Sequence, residues 1–125
     1  MDLYETYRSP TFRKQADDVR FRMEWDDYED FLRKYDANVN SEERTSWFSV
    51  AAFFEGVEVL VKRGLIDLAL VDDLLAVSIK RTWEKIGPVE TRSREHFNNP
   101  RLFDDFEYLY NELMKYHERH PELKT

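Results

Sequence analysis

The stretch from Ser41 to Arg63 carries large apolar side chains around most of a helical turn, and this pattern constrains the fold more than any other. Trp47, Val50, Phe54, Val57 and Val61 alternate at spacings of three and four, which places them on one face of an α-helix. Phe48, Phe53 and Leu60 flank that face, leaving Ala51, Glu55, Glu58 and Lys62 as a narrow opposite strip. A helix so nearly apolar all round belongs at the centre of a bundle. Ser41 is placed to cap its amino end, with Glu42 and Glu43 in the first turn. Lys62, Arg63 and Gly64 suit its carboxyl end.

The remaining chain supplies helices to surround it. Ser9-Pro10 reads as a cap followed by proline at the first helical position. Two apolar stripes follow, Phe12-Ala16-Val19-Met23 and then Phe21-Trp25-Tyr28-Leu32-Tyr35-Val39. With no Gly or Pro between Pro10 and Gly56, this predicts either one long helix or two with an unmarked bend near Glu24 to Asp27. Asp18 with Arg22, Glu29 with Arg33 and Asp30 with Lys34 favour helix, each by about 0.2–0.5 kcal/mol. The stretch Asp36 to Ser41 reads as a connection. Asp67 is a candidate cap for a helix whose buried line is Leu75, Ile79, Trp83 and Ile86, and Gly87-Pro88 is expected to break it. Asn99-Pro100 is expected to open the last helix, with Phe103, Phe106, Tyr110 and Leu113 in line and Pro121 ending it.

No segment alternates with a period of two, so the expected class is all-α: a compact helical bundle of about five to six helices with short connections. One domain over residues 1–125 is expected, with residues 117–125 as a fraying end. Composition supports a folded chain despite a mean hydropathy of -0.74. Nine Phe, seven Tyr and three Trp against three Gly and four Pro do not describe a disordered sequence.

A net charge of -7 argues against nucleic acid and anionic membrane surfaces as partners. The absence of cysteine excludes disulfides and thiolate chemistry. The longest apolar run, Val50 to Phe54, falls well short of a membrane span. Met1-Asp2-Leu3-Tyr4-Glu5 is not a signal peptide, and a cytoplasmic location is expected.

Candidate chemistry is sparse. Glu55 and Glu58 stand on the polar strip, where Asp72 and Asp73 from the next helix could approach and the Arg92 or Arg94 region could offer a counter-charge. Their first reading is a solvated strip, because dinuclear carboxylate bundles also need Glu-x-x-His pairs and the sequence has none. His117 and His120 read as a solvated helix end, and His96 stands alone. No catalytic residue, metal site or cofactor is expected. A helix-turn-helix over Ser49 to Thr82 is opposed by Asp67, Asp72 and Asp73 in its would-be recognition helix.

Phe53-Phe54-Glu55-Gly56-Val57, the run Val59 to Asp67, Leu70-Val71, Leu74 and Trp83-Glu84 resemble an uncharacterised helical family of prokaryotic proteins, DUF4760. Pro88, Arg92, Asn99-Pro100-Arg101 and Phe106 to Leu109 continue the resemblance over about two thirds of the chain. It implies a helical domain with no assigned activity, some relatives of which carry an amino-terminal membrane segment not seen here. Trp47, Phe48, Phe53 and Phe54 crowd more than one face of a single helix, and aromatic rings are enriched in interfaces. The leading expectation is therefore a protein-interaction or assembly module, a homodimer or a partner-binding bundle, with those rings as the candidate interface. The alternative is a small-ligand regulatory domain with a pocket lined by Trp83 and Tyr110.

Overall fold

A computed structural model describes residues 3–36, 39 and 41–125, apart from the side chain of Ser41. The chain is an all-α helical bundle, with no strand among the described residues. The helices are α1 (Leu3–Tyr7), α2 (Pro10–Asp17), α3 (Tyr28–Tyr35), α4 (Ser41–Lys62), α5 (Leu68–His96) and α6 (Asp104–Arg119). A π-helical turn (Asp18–Arg22) extends α2, and a 3-10 turn (Pro121–Leu123) follows α6. No helix among the described residues is long and apolar enough to cross a membrane. The chain divides into two units, residues 1–52 and 53–125, and α4 contributes to both.

In the first unit the expected start at Ser9-Pro10 holds: Ser9 Oγ accepts the Phe12 N–H at 3.2 Å. The two apolar stripes belong to two helices. The π-helical turn ends at Met23, whose N–H donates to the Asp18 carbonyl, and Asp27 caps α3 by accepting the Asp30 N–H at 2.8 Å. An aspartate, not a glycine or proline, therefore marks the break. Trp47 from α4 meets Phe31 at 4.7 Å and Trp25 at 5.6 Å between ring centroids, and Tyr35 joins them through Phe31. Asp18 is also buried and accepts hydrogen bonds from Lys14, Arg22 and Ser46. The expected cap at Ser41 and part of the Asp36–Ser41 connection lie outside the described residues.

In the second unit α4 ends as its sequence implies. Gly64 adopts φ +74°, its N–H donates to the Val61 carbonyl, and the Leu65 N–H donates to the Leu60 carbonyl. This closes two carbonyls that the helix end leaves open. Asp67 caps α5 through the Leu70 N–H at 2.8 Å.

Two expected boundaries are corrected. Helix α5 runs through Gly87-Pro88 to His96. Proline removes one internal hydrogen bond there, yet Trp83, Ile86, Gly87, Val89 and Glu90 remain buried on both sides of it. Packing thus carries the helix across a position that would break an isolated one. Thr91 Oγ1 donates to the Gly87 carbonyl at 2.9 Å. Secondly, α6 begins at Asp104 and not at Pro100. Asn99 Oδ1 instead accepts the Arg101 N–H within the connection, and Arg94 Nε binds the Leu102 carbonyl at 2.8 Å.

Helix α6 packs antiparallel to α5: Arg94 pairs with Glu107, Tyr110 with Glu84 and His117 with Asp72. Their shared core is Leu75, Ile79, Trp83 and Ile86 against Phe106, Leu109 and Leu113, all buried. Phe54 of α4 adds a ring 4.9 Å from that of Phe106.

Candidate functional site

Three features of the second unit combine polar chemistry or apolar exposure with defined geometry. The first lies where α4 meets the start of α6. Phe103, the residue before α6, sits in the left-handed region at φ 52° and offers no side-chain cap. Glu55 supplies the cap from α4 instead, its Oε1 accepting the Phe106 N–H at 2.7 Å. Lys62, two turns further along α4, binds Asp105 Oδ1 at 2.9 Å. Carboxylate oxygens of Glu55, Asp104 and Asp105 lie within 4.8 Å of one another. Hard divalent cations use such convergent oxygens, but here Glu55 and Asp105 already have work as cap and ion-pair partner. Partial burial, then the repulsion of Asp105 and Asp104, holds the Glu55 carboxyl above its ordinary pKa despite the hydrogen bond from Phe106.

Glu58, one turn on, is 1% exposed, and its Oε1 has no hydrogen-bond partner. Desolvation is the main force on it, reinforced by the nearby negative charge of Asp105, and together they push its pKa up to about 7. Lys62 opposes that shift without cancelling it. The expectation of a solvated Glu55–Glu58 strip is therefore corrected. Ala51 and Glu58 continue the buried face, Glu55 is half-buried, and Lys62 remains exposed.

The second feature was not foreseen. Asp72 and His117, expected apart and with the histidine in water, form a buried pair with Nε2 2.6 Å from Oδ1. Each continues an apolar line: Asp72 precedes Leu75 and Ile79, and His117 follows Phe106, Tyr110 and Leu113 at spacings of four, three and four. A polar residue standing in a buried periodicity was the available signal. His117 Nδ1 is buried without a hydrogen-bond partner, a condition that costs roughly 1–3 kcal/mol. His117 also lines a cavity of about 340 Å³, together with Lys80, Met114, Glu118, Pro121 and Lys124.

The third feature is apolar. Leu70, Leu74 and Val77 are 47%, 39% and 45% exposed along the outer side of α5.

Residues 1–113 match the family described as Domain of unknown function (DUF4760). The chain belongs to this family. No curated protein and no solved structure matches it. The matched stretch includes the whole α4–α6 cap and Asp72 but stops short of His117, so the buried pair joins a residue inside the family region to one beyond it.

The other residues singled out in the sequence are dispersed. Asp73 and Arg92 are exposed, and Asp72 engages His117 and not Glu55 or Glu58. Of the four rings on α4, Trp47 and Phe54 are buried, Phe53 is half-buried against Phe54, and Phe48 is exposed. Trp83 and Tyr110 do not line the cavity. The Trp83 ring packs on Phe106, and the Tyr110 hydroxyl donates to Glu84 at 2.7 Å.

Proposed function

We propose that this chain is an assembly module that pairs with a second copy of itself along the outer side of α5. The observation that carries this reading is one line of residues, Asp67, Leu70, Leu74, Val77 and Arg81, spaced at three, four, three and four. It begins with an exposed acid, continues through three exposed aliphatic side chains and ends with an exposed base. The line is about 21 Å long at the rise of an α-helix.

Such a line is complementary to itself when reversed. With a two-fold axis at Leu74, Asp67 faces the partner's Arg81, Leu70 faces the partner's Val77, and Leu74 meets its own copy. This is the requirement of a closed two-fold interface. Three aliphatic anchors per copy lie at the small end of stable interfaces, which bury roughly 1,200–2,000 Å², so micromolar dissociation is expected. Trp47 and Phe54 of α4 serve the core in this reading, while α5 serves assembly.

Sedimentation across a concentration series tests it. Twice the 15.2 kDa chain mass is expected at high concentration, with Leu74→Glu monomeric and Arg81→Glu weakened by about tenfold through new acid–acid contacts. A wild-type chain that stays monomeric throughout, or a dimer indifferent to both substitutions, overturns it. We further propose a cytoplasmic location, supported by a cysteine-free sequence that suits reducing conditions, to be checked by cell fractionation.

A further inference from the structure

We infer that the acids where the middle of α4 meets the first turn of α6 bind a calcium ion. Glu55, Asp104 and Asp105 bring carboxylate oxygens within 4.8 Å of one another. Oxygens on opposite sides of a calcium ion stand roughly 4.6–5.2 Å apart, so these acids are spaced to share one. Surface acids often converge without an ion, and what sets this group apart is Glu58.

Glu58 is 1% exposed, and its Oε1 is buried without a hydrogen-bond partner. Its direction follows from its neighbours on α4. Glu55, three residues before it, reaches the Phe106 N–H, and Lys62, four residues after it, reaches Asp105. Residues at those spacings share one helix face, so Glu58 meets the same turn of α6 from between them. Beyond desolvation, the strongest influence on its carboxyl is the negative charge of Asp105, ahead of Lys62, Glu112 and Glu55. Buried polar atoms are nearly always satisfied. An acceptor directed at other acceptors finds no donor there, and a cation supplies what is missing.

The existing contacts leave room for the ion. An ionised carboxylate offers about four lone-pair positions, and the cap on Phe106 and the pair with Lys62 use only part of those on Glu55 and Asp105. Nor do the local charges cancel. Glu55, Glu58, Asp104 and Asp105 meet only Lys62 and Arg101, and the Arg101 side chain is 83% exposed and 3.9 Å from Asp104. Calcium accepts about six to eight oxygens in irregular arrays that include water, whereas magnesium demands a tight octahedron. Half-buried acids drawn from two helices suit calcium. The bound ion ties α4 to α6 beside the Glu55 cap.

Calorimetric titration of the full chain, stripped with a chelator and held at constant ionic strength, tests this. Calcium chloride is expected to bind saturably and to raise the melting temperature, with magnesium chloride about tenfold weaker. Asp104→Asn, outside both the cap and the Lys62 pair, is expected to weaken calcium binding about tenfold through the lost ligand charge. Glu58→Gln distinguishes a ligand from a structural acid. It is expected to stabilise the ion-free chain by removing a buried charge, yet to weaken calcium binding about tenfold. The monomeric Leu74→Glu variant is expected to bind calcium as the wild type does, which separates this site from the assembly surface. No saturable calcium binding, equal affinity for magnesium, or full calcium affinity in either acid variant overturns the inference.

Discussion

Glu55 accepts the backbone N–H of Phe106 at 2.7 Å, so a side chain on α4 closes the amino end of α6. Helix starts usually draw their cap from the residue just before them. Here Phe103 cannot provide one, and a carboxylate from another helix takes its place.

Removing that acceptor should cost the fold what a lost cap costs. Glu55→Ala is expected to destabilise the chain by about 1–2 kcal/mol, and Glu55→Gln, which keeps an acceptor oxygen, by less. Chemical denaturation of both variants checks the order. Equal losses would show that charge or packing matters more than the hydrogen bond.

Glu58 makes stability depend on pH near neutrality. Its carboxyl titrates at about 7 in the folded chain against an ordinary value of 4.5. Between those values the folded state holds more protons than the unfolded state, so stability falls as pH rises through this window. Glu58→Gln removes the ionisation. The variant's advantage should be small near pH 4.5 and reach about 1–3 kcal/mol above pH 7. Melting curves of both proteins across that range measure it, and a constant gap would remove Glu58 as its source.

Asp18 acts in the opposite sense. Burial alone would raise its pKa, but the hydrogen bonds from Arg22, Lys14 and Ser46 outweigh that and hold it below the ordinary value. Its stabilisation is present above 3.8 and is lost as pH falls through the folded value. Asp18→Asn should therefore destabilise by about 1–3 kcal/mol at neutral pH and converge with the wild type in acid. Parallel acid-unfolding curves would refute this.

Gly87 gives the Trp83 ring its place. A β-carbon there would lie 2.9 Å from both Cε2 and Nε1 of the ring, closer than atoms pack. Gly87→Ala gains about 1 kcal/mol of helix propensity but forces the indole to move, and overpacking of this kind costs typically 1–3 kcal/mol. A net loss of stability with a shifted tryptophan emission is expected. Unchanged emission would show that the ring yields without leaving its pocket.

Local signals were legible in the sequence and tertiary ones were not. Ser9, Gly64 and Asp67 act within four residues of themselves, so their spacing alone identified the helix ends. Pro88 reads as a breaker because sequence cannot show that Trp83 and Val89 anchor the helix on either side of it. The burial of Glu58 and the Asp72–His117 pair escaped for a related reason. A carboxylate or imidazole in an apolar line looks like an interruption until the facing helix is known. The exposed line on α5 was hidden differently, since Leu70, Leu74 and Val77 sit beside the core positions Val71 and Leu75 and share their chemistry.

The cap on α6 also has a direction in time. Glu55 leaves the ribosome 51 residues before Phe106, so the acceptor is already waiting when the helix that needs it is made. Synthesis from the amino end thus delivers the acceptor before the helix it caps.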